Sequence, residues 1–250
     1  MVHVGTSGYN YPAWRGAFYP ARLAARAMLP FYAERFETVE INASFYRMPT
    51  PKAIGGWFDA TPAAFVFALK VPRRITHIGR LVNVDDSLRF FCETARGLGP
   101  KLGPLLFQLP PTFRKDIGRL AGIISLVPAD LHVAFEFRHP TWFCDEVYAL
   151  LRGRDAALCI VDAEEGSTPD VATASWGYVR LRDRAYTDAE LDEWAAGLAR
   201  SAWRDAFAYL KHEDTGLGPL LATRLIARLA APALMAQGQG ELQTDGEGAQ

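Results

Sequence analysis

The sequence contains no apolar run close to the roughly 20 residues that a helix needs to cross a membrane. It also lacks an excess of either charge, because 27 Lys and Arg oppose 28 Asp and Glu, a formal net charge of −1 at pH 7. This balance excludes a polybasic nucleic-acid arm, although it permits a local charged patch. No basic, then apolar, then small-residue leader precedes the first strand-like run, so we expect a cytoplasmic protein without membrane contacts.

Cysteine is scarce, and the common cofactor motifs are missing. The three cysteines, Cys92, Cys144 and Cys159, are odd in number and widely spaced, which predicts reduced thiols and no disulfide framework. The loop after the first strand-like run does not fit GxGxxG or a P-loop, and neither HExxH nor GxSxG occurs. We therefore expect no cofactor.

Short β-type runs alternate with segments of helical periodicity along most of the chain. The strand-like runs are 3–7, 38–46, 65–71, 104–109, 132–138, 156–162, 178–182 and 206–211. The gaps are mostly long enough for parallel crossovers, so this count predicts a single α/β domain over residues 1–231, a (β/α)₈ TIM barrel. The polar, glycine-rich segment 232–250 is expected to be a disordered tail.

Two smaller patterns refine the expected barrel. Thr187 and Glu190 have the spacing of a capping box before a helical stripe. Residues 164–175 lack helical periodicity, so the crossover helix between the sixth and seventh strands should be short or missing.

Several predicted strands carry polar residues at alternate positions near their carboxyl ends, opposite a large apolar set. These residues are Glu40, Asn42, Ser44, Lys70, Gln108, Glu136, Arg138, Asp162, Arg180 and Arg182. The apolar set should face the helices, so the polar set should face the barrel axis, where TIM barrels place their active sites. A structural ion-pair plug is the other explanation. Burying charge costs several kcal/mol per ion, which favours a binding site over a plug.

Two loops could extend this site. The segment GTSGYNYPAW contributes Ser7 and the aromatic residues Tyr9, Tyr11 and Trp14, which form either a hydrophobic lid or a stacking surface for a sugar or a base. The basic segment KVPRRITHIGR follows the third strand and contains Arg73 and His77. It is either a solvated surface or a docking site for phosphate or carboxylate.

The motifs GTSGYNYPAWRGAFYP, VEINASFYRMP, FALKVPRRITH, LGPLLFQLPP and EFRHPTW, in this order, resemble those of the YecE-like family, known as domain of unknown function 72. The resemblance covers residues 2–230 and implies a TIM barrel related to the xylose-isomerase and endonuclease-IV-like barrels, without an assigned reaction. Tyr46 and His139 lie within the matching motifs. The chain departs from the family in Tyr9, where Trp is usual, and in Lys211 to Asp214, which replace an aromatic-Asn-Asn ending.

The site predicts binding of a small anionic or sugar-like molecule and chemistry on it, as in an uncharacterised hydrolase, lyase or isomerase. Glu40 and Glu136 are the candidate acid/base groups, because a basic, desolvated mouth can tune their pKa values. Lys70, Arg138 and Arg180 would hold the anionic group, and Lys70 could instead form a Schiff base. A nucleic-acid-binding or nuclease-like protein is the alternative, which the near-zero net charge disfavours.

No metal is expected at this site, because only Glu40, Glu136, Asp162 and His139 could converge and the surrounding bases would compete with a cation. The purified protein should hold far less than one equivalent of any divalent ion, and a chelator should leave its Tm unchanged. Elemental analysis and thermal melts check this. A stoichiometric metal that is lost in Glu136→Gln would contradict it.

Overall fold

The computed structural model describes residues 1–164, 166–182, 185–212 and 216–241. The strands are β1 (Val2–Ser7), β2 (Thr38–Ile41), β3 (Val66–Lys70), β4 (Leu102–Gln108), β5 (Val133–Glu136), β6 (Ala157–Asp162), β7 (Gly177–Arg182) and β8 (Ala206–Lys211). The α-helices are α1 (Met28–Ala33), α2 (Ala43–Tyr46), α3 (Pro51–Asp59), α4 (Asp85–Ala95), α5 (Ile117–Leu126), α6 (Asp145–Arg152), α7 (Asp188–Arg200) and α8 (Leu217–Glu241).

The strands pair in parallel in their sequence order, and β1 also pairs with β8, which closes the sheet into a barrel. The register places Ser7 beside Glu40 and Gln108 beside Glu136 at the carboxyl ends of the strands. The predicted (β/α)₈ TIM barrel is therefore confirmed, and polar residues of neighbouring strands lie side by side at its mouth.

Side chains alternate along each strand between two apolar layers. In β7, Val179 and Leu181 belong to the cluster that packs against the helices, whereas Tyr178 belongs to the cluster inside the barrel. The interior cluster includes Ala68, Leu106, Ala134, Cys159, Tyr178 and Tyr209. Because most of these precede the polar end residues by two positions, they form a packed floor beneath the mouth.

The end of β2 differs from the prediction. The strand stops at Ile41 and the short helix α2 follows, so the predicted run 38–46 is too long. The hydroxyl of Ser44 donates to the backbone carbonyls of Ile41 (2.9 Å) and Lys70 (2.7 Å), at the ends of two adjacent strands. Ser44 therefore closes these strand ends and does not face the barrel axis.

The connection from β6 to β7 contains no helix among its described residues, as predicted. Its threonines instead bond the backbone of β6: the hydroxyl of Thr173 accepts from the amide of Leu158 (2.7 Å), and that of Thr168 accepts from Val161 (2.8 Å). Since β6 pairs with β5 only through residues 157 and 158, the two strands separate toward the mouth.

The last two helices close the fold at its C-terminal end. The predicted capping box of Thr187 and Glu190 is present at the start of α7. Helix α8 continues beyond Pro232 to Glu241, into the first part of the predicted tail, while residues 242–250 lie outside the described residues. None of the helices in the described ranges has the length and apolarity needed to cross a membrane.

Gly5 lies at a close approach between β1 and β2. A Cβ at this position would lie 2.2 Å from the carbonyl oxygen of Thr38, a backbone atom that cannot move without disturbing β2. Gly5→Ala should lower the free energy of unfolding by about 1–3 kcal/mol or more. The control is Gly122→Ala in α5, where a Cβ meets open space and should stabilise by up to about 1 kcal/mol. Urea denaturation that gives equal effects for both variants would contradict this packing argument.

Candidate functional site at the barrel mouth

The strands bring a ring of polar side chains to the carboxyl end of the barrel. The members that end or nearly end their strands and are buried are Ser7, Glu40, Lys70, Gln108, Glu136 and Arg180. Five of them, Glu40, Lys70, Gln108, Glu136 and Arg180, were predicted to face the barrel axis from the alternation of polar and apolar residues, and they do. Ser7 was predicted as part of the loop after the first strand.

Arg180 joins two strands on different sides of the barrel. Its Nη2 donates to Oε1 of Glu40 at 2.8 Å, and its Nη1 donates to Oε2 of Glu136. The three residues are at most 1% exposed. Such a pair of buried carboxylates would be strongly unfavourable without the guanidinium between them.

Both oxygens of Glu40 are bonded. Oε2 accepts from the hydroxyl of Tyr178 at 2.7 Å, and Oε1 accepts from the hydroxyl of Ser7 as well as from Arg180. Ser7 in turn accepts a hydrogen bond from the side-chain amide of Asn42 at 3.0 Å. The carboxylate is therefore enclosed by donors from β1 and β7, and Asn42, just after β2, holds one of these donors in place.

Glu136 is bonded as completely as Glu40. Its Oε1 accepts from Nε2 of Gln108 (2.8 Å) and from Nε of Arg138 (3.0 Å), and Arg182 lies 3.9 Å away. Burial by itself would raise the pKa of Glu136, but the charges of Arg180, Arg138 and Lys70 outweigh it and hold this pKa well below its usual range. Glu136 is consequently an anion at any pH near neutrality.

Lys70 differs from the other charged members of the ring. Its side chain is 8% exposed, and its Nζ makes no hydrogen bond or ion pair with any described residue. The contact that positions it is the ring of Phe45, whose centroid lies 4.1 Å from Nζ. Burial, and then the charge of Arg180, lower the pKa of Lys70 to about 7, although Glu136 and Glu40 partly oppose this.

A cavity of about 630 Å³ lies over this ring. Its polar and aromatic lining residues are Tyr9, Asn10, Tyr11, Asn42, Phe45, Tyr46, Trp57, Lys70, His77, Gln108, Arg138, Arg180, Arg182 and Lys211. No acidic side chain lines the cavity among the described residues, because Glu40 and Glu136 lie below its surface. Glu136 and Arg138 also line a second cavity of about 460 Å³, where β5 and β6 separate.

One wall of the main cavity combines aromatic rings with a neutral histidine. Phe45 packs edge-on against His77 with ring centroids 4.9 Å apart. Burial, together with the nearby charges of Lys70 and Arg138, lowers the pKa of His77 to about 4, so the imidazole is uncharged near neutral pH. Its Nδ1 lies 2.9 Å from the hydroxyl of Thr76, which leaves Nε2 as its other polar atom.

Another part of the cavity wall comes from the loop after β1. Gly8 has φ +91°, and a Cβ there would lie 2.3 Å from the hydroxyl of Tyr11, so the turn requires glycine. The same hydroxyl donates to the carbonyl of Ser7 at 2.9 Å. This arrangement brings Tyr9 and Tyr11 to the cavity, a position that fits both a hydrophobic lid and a stacking surface.

Asp162 is the exception to the predicted inward orientation. In β6 the interior positions are Cys159 and Val161, while Ile160 packs toward the helices. Asp162 shares the parity of Ile160, so it points away from the barrel axis, and its Oδ1 accepts from the hydroxyl of Ser167 at 2.7 Å. The prediction that Asp162 faces the axis is wrong, because Val161 is the last residue of β6 whose side chain points into the barrel.

Four other predicted binding residues do not line the main cavity. Ser7 is buried, and its hydroxyl donates to Glu40. Trp14 is 1% exposed and packs against Tyr11, Phe18 and Tyr19, so it supports the loop from behind. Arg73 is exposed outside the cavity. His139 caps the 3₁₀ helix Pro140–Trp142, with its Nδ1 accepting from the amide of Thr141 at 3.2 Å.

Phe45, Trp57, Lys211 and Tyr178 belong to the site but were not predicted. The predicted second strand runs through Phe45, which instead lies on α2. Tyr178 could have been found, since it shares the inward parity of Arg180. Nothing in the sequence around Trp57, on α3, indicates that its ring reaches the mouth.

No group of three or more His, Cys, Asp or Glu side chains suited to a metal ion occurs within the described ranges. Glu213 and Asp214, from the atypical ending of β8, lie outside the described residues. The absence of a metal stays a prediction.

The fold and the ring of polar strand ends define a TIM-barrel protein with its candidate site at the carboxyl face. The model of the family described as "Protein of unknown function DUF72" matches residues 3–243. The chain therefore belongs to the DUF72 family, which includes the YecE-like proteins.

Two curated relatives agree with this assignment. The UPF0759 protein YecE of Escherichia coli (strain K12) is 30% identical over 156 residues, which are 61% of this chain and 55% of that protein. The UPF0759 protein YunF of Bacillus subtilis (strain 168) is 27% identical over 191 residues, 70% of this chain and 66% of that protein. The match thus spans little more than half the length of YecE.

Solved structures share the fold. A DUF72 family protein from Thermotoga maritima is 24% identical with a TM-score of 0.78, over 92% of this chain and 99% of that one. A DUF72 family protein from Enterococcus faecalis is 18% identical with a TM-score of 0.80, over 92% and 95% of the two chains. At these identities the likeness concerns the fold alone.

The ring predicts opposite effects for two of its charges. Glu136→Gln should lower the free energy of unfolding by about 3–5 kcal/mol, because it leaves Arg180 buried against a neutral amide. Lys70→Met should be neutral or stabilising at about pH 7, because it removes a buried cation without a carboxylate partner and keeps the packing of the stem. Urea denaturation measures both effects.

The pH dependence supplies the control for Lys70. A lysine whose pKa is lower in the folded chain binds its proton more tightly when unfolded, so the wild type gains stability as the pH rises from about 7 to about 10. Lys70→Met should lack this gain. Lys101→Met is the matched variant: Lys101 is buried but donates to the carbonyls of Phe58 (2.6 Å) and Thr61 (2.7 Å), so its removal should destabilise. A loss of several kcal/mol in Lys70→Met would contradict the assignment.

Proposed function

We propose that the protein binds a small molecule with an anionic group, a phosphate ester or a carboxylate, in the cavity at the barrel mouth. The observation that carries the proposal is Lys70, a buried lysine at the cavity wall without a carboxylate partner among the described residues. A ligand anion would supply the counter-charge that the protein does not provide there.

The neighbouring charges support an anion over a cation. Glu40 and Glu136 are occupied by Arg180 and by neutral donors, and Arg138 uses only its Nε on Glu136. Arg138 also lines the cavity, so the planar end of its guanidinium is available for a bidentate contact with carboxylate or phosphate.

The size and lining of the cavity suit a small polyhydroxylated ligand. A volume of about 630 Å³ lies within the range of small-molecule sites. Trp57 and Tyr9 offer aromatic faces, while Asn42 and Gln108 offer amide groups for hydroxyls. A sugar phosphate combines the two features that the cavity provides.

The buried carboxylates suit a different role from the acid/base role expected of them. Glu136 stays ionised near neutral pH and accepts from Gln108, Arg138 and Arg180, so it is poorly suited to proton transfer. Glu40 is likewise bonded at both oxygens. In our proposal these two carboxylates orient the cations that hold the ligand.

The alternative, nucleic-acid binding or a nuclease-like activity, gains no support from the geometry of the described residues. It relied on the basic run after β3 for phosphates and on the aromatic loop for bases, and Arg73 and Arg74 are exposed outside the cavity that Tyr9 and Tyr11 line.

Ribose 5-phosphate should raise the Tm of the protein, whereas ribose at the same concentration should raise it much less. Sulfate should also bind, and more weakly as the pH rises through about 7, because Lys70 then loses its positive charge while sulfate keeps its own. Lys70→Met should weaken ribose 5-phosphate binding at least about tenfold, a difference of about 1.4 kcal/mol. Thermal shift and calorimetry measure these effects.

The control variant is Lys115→Met, because Lys115 pairs with Glu146 at 2.7 Å, away from the cavity. It should bind like the wild type. The proposal fails if no anion shifts the Tm at about pH 6, or if Lys70→Met binds ribose 5-phosphate as tightly as Lys115→Met.

A further inference from the structure

We infer that Lys70 is a nucleophile that condenses with the carbonyl group of an aldehyde or ketone bound in the mouth cavity. The inference rests on the proposed anion site: the anionic group of the ligand lies between Arg138 and Lys70, and the amine that condenses is the neutral fraction of Lys70. The substrate class is therefore a small carbonyl compound with an anionic group, such as a 2-oxo acid or a phosphorylated aldehyde.

The amine of Lys70 is accessible from the cavity. Nζ of Lys70 lies at a cavity wall and donates no hydrogen bond to any described residue. Lys101 is the contrasting case: it is also buried, but its Nζ is bound to the carbonyls of Phe58 and Thr61 and to the hydroxyl of Thr61. An amine enclosed by three oxygens is structural, whereas one directed at an open cavity can react.

The surroundings of the amine favour its neutral form. The groups facing Lys70 are Arg180 on β7, Glu136 on β5, Glu40 on β2, Arg138 after β5 and His77 after β3. Both carboxylates are already bonded to other cations or donors, so neither forms an ion pair with Lys70. Burial and Arg180 lower its pKa to about 7, and a large share of the lysine is the neutral, nucleophilic amine near neutral pH.

Guanidinium groups that can bind the anionic group of the ligand lie in the same cavity as the amine. Arg138 and Arg180 line the same cavity as Lys70, and Phe45 holds the end of the lysine side chain. A ligand whose anionic group bonds to Arg138 can present a carbonyl carbon to Nζ within one small cavity. Among the described residues, Lys101 has neither a free amine nor guanidinium groups that line a cavity with it.

The reaction balances without an added co-reactant. The lone pair of the neutral Nζ forms a bond to the carbonyl carbon, the π electrons of C=O move to oxygen, and one N–H proton passes to that oxygen through solvent, which gives a carbinolamine. The nitrogen lone pair then forms C=N while the C–O bond breaks. The departing oxygen takes the second N–H proton and leaves as water.

Reductive trapping tests the inference. The full chain is incubated with glyoxylate, which carries both an aldehyde and a carboxylate, and with cyanoborohydride, which reduces the imine to a stable secondary amine. Intact mass and peptide mapping then locate the adduct. We expect modification at Lys70 to exceed that at Lys115 at least about tenfold at about pH 7.5, and to rise between about pH 6 and about pH 8.

Three variants sharpen the experiment. Lys115→Met should be trapped like the wild type, and Lys70→Met should lose the dominant adduct. Arg138→Met should need at least about tenfold more glyoxylate for the same yield, but should react with uncharged glycolaldehyde as the wild type does. The comparison of glyoxylate with glycolaldehyde in Arg138→Met separates loss of the group that binds the anion from loss of the reactive amine.

Three outcomes overturn the inference: adducts that follow surface exposure, an adduct on Lys211 in place of Lys70, or equal trapping in Lys70→Met. If ribose 5-phosphate binding depends on Lys70 but glyoxylate is not trapped there, the anion site stands and the imine is excluded. If neither occurs, both proposals fail. Folding of Lys70→Met is checked by its urea denaturation curve.

Discussion

The double ion pair of Arg180 with Glu40 and Glu136 is the interaction on which the rest of the mouth depends. It joins β2 to β5 through β7 across the inside of the barrel, with all three side chains at most 1% exposed. Buried charges are tolerated only when they are paired and fully bonded. The hydroxyls of Ser7 and Tyr178 and the amide of Gln108 are therefore parts of this network.

Pairing within the network determines which group remains for a ligand. Because both carboxylates are already bonded, neither contacts Lys70, and the positive charge of Arg180 disfavours the protonated form of this lysine. The same packing that stabilises the barrel thus leaves one amine at a cavity wall. Since TIM barrels support many unrelated reactions, neither the fold nor membership of the DUF72 family indicates a function, and this amine and the cavity are the features that support the proposed one.

Sequence patterns predicted the ring well where a strand is regular to its end. Alternation placed Glu40, Lys70 and Glu136 on the inner face, and the structure agrees. It failed for Asp162, because periodicity gives two faces but does not say which one is inside when apolar residues occupy both. It also failed after Ile41, where the helix α2 takes the place of the predicted extended backbone and the hydroxyl of Ser44 bonds to strand-end carbonyls.

The sequence by itself determined the number of strands, the barrel, and the residue types at the carboxyl ends, since these follow from local periodicity and crossover length. Only the tertiary structure decided which charges pair. Barrel closure sets the distances among β2, β5 and β7, and those distances give Arg180 both carboxylates and Lys70 neither. Burial then shifts the pKa of Lys70, because desolvation depends on the surrounding fold and not on neighbours along the chain.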